Sequence, residues 1–186
     1  MPEIALGHLR QMVYASLLAA LTAAGGYIQL PIGPVPIVLQ NLFVLVAGLI
    51  LGPRWGLTSM GIYLLLGLVG FPVFAGGKGG LAHLMGPTGG YLLGFGLAAW
   101  ISGWIADRSR GRLSLDVVAV VLGSLAIYAA GVPWLKWVTG LTWGKAIWVG
   151  MLPFLAGDAL KASAAVIVAR AVRPVLGGRE KQPCPR

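Results

Sequence analysis

QMVYASLLAALTAAGGYIQLPIGPVPIVLQNLFVLVAGLILGP, from Gln11 to Pro53, contains no Asp, Glu, Lys or Arg. A helix needs roughly 20 residues to cross a bilayer core, so this run is long enough for two crossings. Its middle shows where the chain turns. Gly25-Gly26 is followed by Leu30-Pro31-Ile32-Gly33-Pro34-Val35-Pro36, and proline at alternate positions cannot continue a helix. The pattern places helix 1 at about 9–24 and helix 2 at about 37–51.

Working outward, Gly52-Pro53-Arg54 closes helix 2 and helix 3 runs over about 55–69. The next stretch, Gly76-Gly77-Lys78-Gly79-Gly80, is too glycine-rich for a stable helix. A short helical piece is expected at 81–85. Gly86-Pro87-Thr88-Gly89-Gly90 then leads into helix 4 at about 91–106, with Thr88 as its cap. The polar stretch from Asp107 to Asp116 reads as a solvated loop. Helix 5 is expected at about 117–130. Val132-Pro133-Trp134-Leu135-Lys136-Trp137 reads as interfacial, because Trp favours the headgroup level. Helix 6 is expected at about 147–172 with a break near Pro153. The expected fold is therefore an all-α integral membrane protein, a six-transmembrane-helix bundle with glycine-rich outer loops. Residues 1–176 form its single domain and 177–186 a short charged tail, with no soluble domain and no internal repeat.

Composition supports lipid as the solvent. The chain is 58% hydrophobic and 10% charged, against about 25% charged in soluble domains. Its charge of +9 lacks the basic stripe or aromatic motif of a nucleic-acid binder, and a positive-inside distribution explains it better. Arg10, Arg54, Arg108, Arg110, Arg112, Arg170, Arg173, Arg179, Lys181 and Arg186 would share one side; Lys78, Lys136 and Lys145 would lie on the other. That asymmetry places both termini in the cytoplasm. The single cysteine, Cys184, provides neither a disulfide nor a thiolate metal site within one chain. The first apolar run lacks a small-residue cleavage pattern and reads as a retained helix rather than a signal peptide.

Asp158 and Lys161 are the chemical signal. They are the only Asp and Lys inside a membrane run, where a charge costs about 2.5–3.5 kcal/mol on insertion scales. Their i,i+3 spacing puts them on one helix face. The pair is either a structural knot or a site offering an acceptor beside a donor. The glycine segments would let a ligand approach the main chain, and Lys78 could meet an anion there; the alternative is a flexible outer loop. Gln40 and Asn41 are helix glue or ligand contacts. Tyr91, Trp134 and Trp137 could stack on a ligand or anchor at the interface. Ala15, Ala19 and Ala23 recur every four residues, as at a close helix contact, internal or with a partner. His8 and His83 are isolated, His83 reading as a loop residue. Ser124 stands without a base, so an intramembrane protease is disfavoured. With no nucleophile–base set and no nucleotide motif, the chain reads as a binder whose energy source is external.

Several of these stretches together resemble one family. They are Gly33-Pro34-Val35-Pro36-Ile37-Val38-Leu39-Gln40-Asn41, the run from Ala47 to Arg54, Gly70-Phe71-Pro72-Val73-Phe74-Ala75-Gly76-Gly77, Gly86-Pro87-Thr88-Gly89-Gly90-Tyr91, and Gly157-Asp158-Ala159-Leu160-Lys161. In this order they resemble the BioY family, biotin-binding S components of energy-coupling factor (ECF) vitamin transporters, over residues 10 to 174. The resemblance implies a multi-pass substrate-capture subunit in a bacterial cell membrane. Biotin would be its ligand, and a transmembrane coupling protein and ABC-type ATPases its partners; the partners would use ATP, with no cofactor in this chain. It implies docking through Ala15 and Ala19, and a homo-oligomer is possible. Biotin's ureido ring suits Asp158 and Lys161, with Gln40, Gly77, Lys78, Gly79 and Tyr91 around the remainder. Lys78 stands where at least one member carries Asn. The alternatives are an intramembrane enzyme using Asp158 and Lys161 as acid and base, and a purely structural subunit.

Overall fold

A computed structural model describes residues 2–30, 35–109 and 111–176; the expected tail at 177–186 and Pro31 to Pro34 of the proline run fall outside these. In chain order come α1 (Pro2–Tyr27), a two-stranded ribbon of β1 (Gln29–Leu30) and β2 (Ile37–Val38), α2 (Gln40–Val69), α3 (Leu81–Leu84), α4 (Gly89–Arg108), α5 (Leu113–Thr139), α6 (Trp143–Gly150) and α7 (Leu155–Val175). A 3₁₀ turn at Leu152–Phe154 separates the last two. Among the described residues, four stretches are long and apolar enough to cross a membrane: Gln40–Val69, Gly89–Arg108, Leu113–Thr139 and Trp143–Val175.

α2 is not one rod. Gly52 has φ 82° and ψ −177°, a conformation that only glycine enters at low cost. The limbs 40–51 and 53–69 fold back on each other there. Gln40 Nε2 donates to Tyr63 Oη at 2.6 Å across 23 positions, which a straight helix would separate by about 34 Å. At the break Pro53 has no N–H to give the carbonyl of Leu49. Arg173 of α7 supplies the donors, Nε at 3.2 Å and Nη2 at 3.0 Å. Its Nη1 also reaches both carboxylate oxygens of Asp116, at 3.0 and 2.9 Å. Arg170 donates to the same acid at 3.2 Å and to the carbonyl of Gly111 at 3.0 Å. The break in α2, the start of α5 and the end of α7 are thus tied at one end of the bundle. Asp116, expected in a solvated loop, lies in the first turn of α5 and is fully buried.

Other boundaries also move. α5 runs through Pro133 to Thr139, so Val132 to Trp137, expected beyond the end of helix 5, is helical. Trp134 packs where Gly90 lacks a side chain and donates to the carbonyl of Gly86 at 3.0 Å. Thr88 holds the N-cap position of α4 without making a capping hydrogen bond; its hydroxyl lies 3.4 Å from His83 Nε2 instead. The break near Pro153 is the 3₁₀ turn. Ala15 and Ala19 are buried, and the carbonyl of Ala15 accepts from Ser59 Oγ at 2.8 Å. They form an internal contact with the second limb of α2 rather than an open docking face. One stripe of small residues at four-residue spacing, Ser16, Ala20 and Ala24, is exposed on α1.

Candidate functional site

The first turn of α7 carries Asp158, a residue that is 7% exposed. A carboxylate in an apolar wall needs donors at its oxygens, because stripping its water costs far more than any one contact returns. Three side chains provide them. Lys161 Nζ lies 2.7 Å from Oδ1. Tyr128 of α5 donates its hydroxyl to Oδ2 in a short hydrogen bond. Asn41 Nδ2, from the first turn of α2, lies 3.3 Å from Oδ2 and 3.5 Å from Oδ1. About four acceptor positions exist on an ionised carboxylate, and these contacts cover both oxygens from three helices. Asn41 makes the longest and loosest of them.

Beside this acid lies an open-mouthed cavity whose empty space, counted out to the mouth, is about 470 Å³. Gln40, Asn41, Tyr91, Phe95, Tyr128, Phe154 and Asp158 line its helical side; Val35, Pro36 and Val38 close another. Ala75, His83 and Thr88 line it from the glycine-rich segments and α3. Apolar walls with a few convergent polar groups can grip an amphipathic ligand and orient it. Among the described residues no three His, Cys, Asp or Glu side chains gather as a metal site would need.

The expected residues fall into three groups. Asp158, Gln40 and Tyr91 line the cavity. Gln40 also donates to the carbonyl of Val73 at 3.4 Å, and Tyr91 donates to the carbonyl of Gly150 at 2.8 Å, so both are held by the wall they belong to. Lys161 meets Asp158 but is not a lining residue. Lys78, Gly77 and Gly79 do not line the cavity; they shape the loop above it. Phe74 and Lys78 close a tight turn, Phe74 N donating to the carbonyl of Lys78 at 2.8 Å. A side chain at Gly79 would meet the carbonyl oxygen of Phe71 at 2.3 Å. The loop is tied to the end of α1, Gly76 N donating to the carbonyl of Gly26 at 3.0 Å and Tyr27 Oη to that of Pro72 at 2.5 Å. Lys78 itself is exposed.

Tyr128 and His83 escaped the sequence reading as site residues, and Asn41 was not placed against the acid. A tyrosine within an apolar run needs a partner for its hydroxyl, which was the available signal for Tyr128. Nothing local marked His83.

Comparison with known proteins gives one answer. The family model described as "BioY family" matches residues 2–178. A probable biotin transporter BioY of Pyrococcus horikoshii is 44% identical over 160 residues, covering 86% of this chain and 94% of that one. A biotin transporter BioY of Thermotoga maritima is 40% identical over 162 residues, covering 87% and 94%. Among solved structures, the crystal structure at 2.1 Å of the S-component for biotin from an ECF-type ABC transporter superposes with a TM-score of 0.85. It is 30% identical, covering 90% of this chain and 93% of its own.

Proposed function

The chain belongs to the BioY family, and from that premise we propose that it is the substrate-capture subunit of an ECF-type transporter, binding biotin in the cavity beside Asp158. The family is one of transport subunits, not enzymes, so the acid–base alternative for Asp158 and Lys161 has no support.

The observation that carries the ligand assignment is the buried carboxylate in the cavity wall, with its oxygens covered by Lys161, Tyr128 and Asn41. A cyclic urea presents two N–H donors and one carbonyl acceptor. An N–H entering from the cavity takes the place of the long Asn41 contact on Asp158, and the released amide then faces the ligand. Lys161 either stays on Asp158 or turns its ammonium to the urea oxygen. Gln40 and Tyr91 bound the remainder of the ligand, while Gly77, Lys78 and Gly79 form a cover.

The same reading extends to assembly. α2 provides two crossings joined at Gly52, making six in all, with both termini in the cytoplasm and lipid around the bundle. A transmembrane coupling protein and ABC-type ATPases deliver the power stroke, and the ATP is consumed there. The docking face on α1 is the exposed row Ser16, Ala20 and Ala24, one position along from Ala15 and Ala19. The test is direct: purify the protein in detergent, identify co-purified small molecules by mass spectrometry, and titrate biotin calorimetrically. Retained, unmodified biotin is expected. A folded protein that neither carries nor binds biotin refutes the proposal.

A further inference from the structure

The wall formed by the loop segment and α3 carries a group that the urea-binding end leaves unused. His83 lines the cavity with Ala75 and Thr88. Its ring stacks on Phe74, centroids 5.4 Å apart and planes at 25°, and Phe74 is fully buried. Nε2 lies 3.4 Å from the Thr88 hydroxyl. The ring is thus fixed in orientation while remaining half-buried, within reach of protons from solvent.

Resting on the biotin reading above, we infer that His83 is a specificity-determining residue that receives the ligand's carboxylate end and makes capture of an anionic ligand tighter in acid. The argument starts from charge. Asp158 lines the same cavity and repels a second carboxylate, so an anionic tail settles away from it, against the wall that holds His83. The charged or titratable groups facing His83 are Lys78 of the glycine loop, whose charge acts on the ring, and, across the cavity, Tyr91, Tyr128 and the Lys161-paired Asp158. Phe74 and Thr88 carry no charge. Burial, and secondarily Lys78, hold His83 below its usual value in the empty site, so the ring is neutral near pH 7. An anion beside it reverses that balance. By linkage, a ligand that raises the His83 pKa binds with proton uptake, and its affinity rises as pH falls through the occupied-site value.

The test compares biotin with biotinamide, which keeps the ring and replaces the carboxylate by a neutral amide. On the unaltered protein, biotin affinity is expected to rise about three- to tenfold from about pH 7.5 to about pH 5.5, with biotinamide affinity unchanged. His83→Gln is expected to bind biotin with no such rise. A flat biotin profile, equal slopes for the two ligands, or a slope that survives in His83→Gln would overturn the inference while leaving biotin binding intact. Failure to bind either ligand at any pH would remove the biotin reading, and this inference with it.

Discussion

A carboxylate held by three donors responds differently to the loss of each. Asp158→Asn keeps the shape and one acceptor but gives up the charge. Losing a charge-assisted hydrogen bond costs roughly 1.5–3 kcal/mol, so calorimetry on monodisperse protein should show biotin affinity at least about tenfold weaker. Lys161→Met leaves the buried acid without its cation, and a stranded partner of a buried pair costs about 3–5 kcal/mol; a lower melting temperature should therefore accompany weaker binding. Tyr128→Phe removes only the hydroxyl that Oδ2 accepts, and affinity should fall about tenfold or more with the fold retained, one hydrogen bond to a charged group being at stake. Parent-like affinity in both Asp158→Asn and Lys161→Met would make the pair structural and move the ligand elsewhere. Asp158 and Lys161 could be read from the sequence because charge is conspicuous in an apolar run. Tyr128 carried only the general signal of a hydroxyl needing a partner and His83 none, since their value lies in which way a ring points and what it meets from distant helices.

At the scale of elements, α2 is where sequence and structure meet most closely. Gly52-Pro53 signals a stop, and the chain does reverse there. What the residues do not announce is how tightly a third helix sits on the bend: a side chain at Gly103 of α4 would lie 2.5 Å from the carbonyl carbon of Gly52 and 2.6 Å from Pro53 N. Gly103→Ala must push backbone apart, and overpacking of this kind costs about 1–3 kcal/mol; a lower melting temperature in detergent should report it. The two rows on α1 separate in the same spirit. Ala19→Trp places a large ring in a buried contact and should destabilise the isolated subunit. Ala20→Trp enlarges an exposed position and should leave biotin binding intact while blocking co-purification with the coupling protein. Intact assembly in Ala20→Trp would remove that docking face. A repeat of four identifies a stripe of small residues but not its direction, because neighbouring stripes on α1 differ by one position in the chain. The length of α5 was missed for a related reason: Pro133 removes one N–H from the helix, and the surrounding contacts, Trp134 against Gly90 among them, keep the helix going.

For the whole molecule, the Lys and Arg asymmetry predicts that reporter fusions at both termini signal from the cytoplasm; an external signal from either end would refute six crossings in this orientation. Fold class and the membrane setting were legible because they are sums over many residues, whereas the cluster at Asp116 was not, since its hydrogen bonds join residues 54 to 124 positions apart. That cluster bears on how the protein is made. Synthesis delivers Asp116 and the Leu49 carbonyl to the membrane well before Arg170 and Arg173 leave the ribosome. Until the last helix is inserted, the nascent chain holds an acid without the two guanidinium groups that later cover it. The final segment therefore acts as a checkpoint in biogenesis: chains truncated before residue 155 should be cleared quickly by membrane proteases in pulse–chase labelling, and Arg173→Gln should shorten the lifetime of the full-length protein in the same assay.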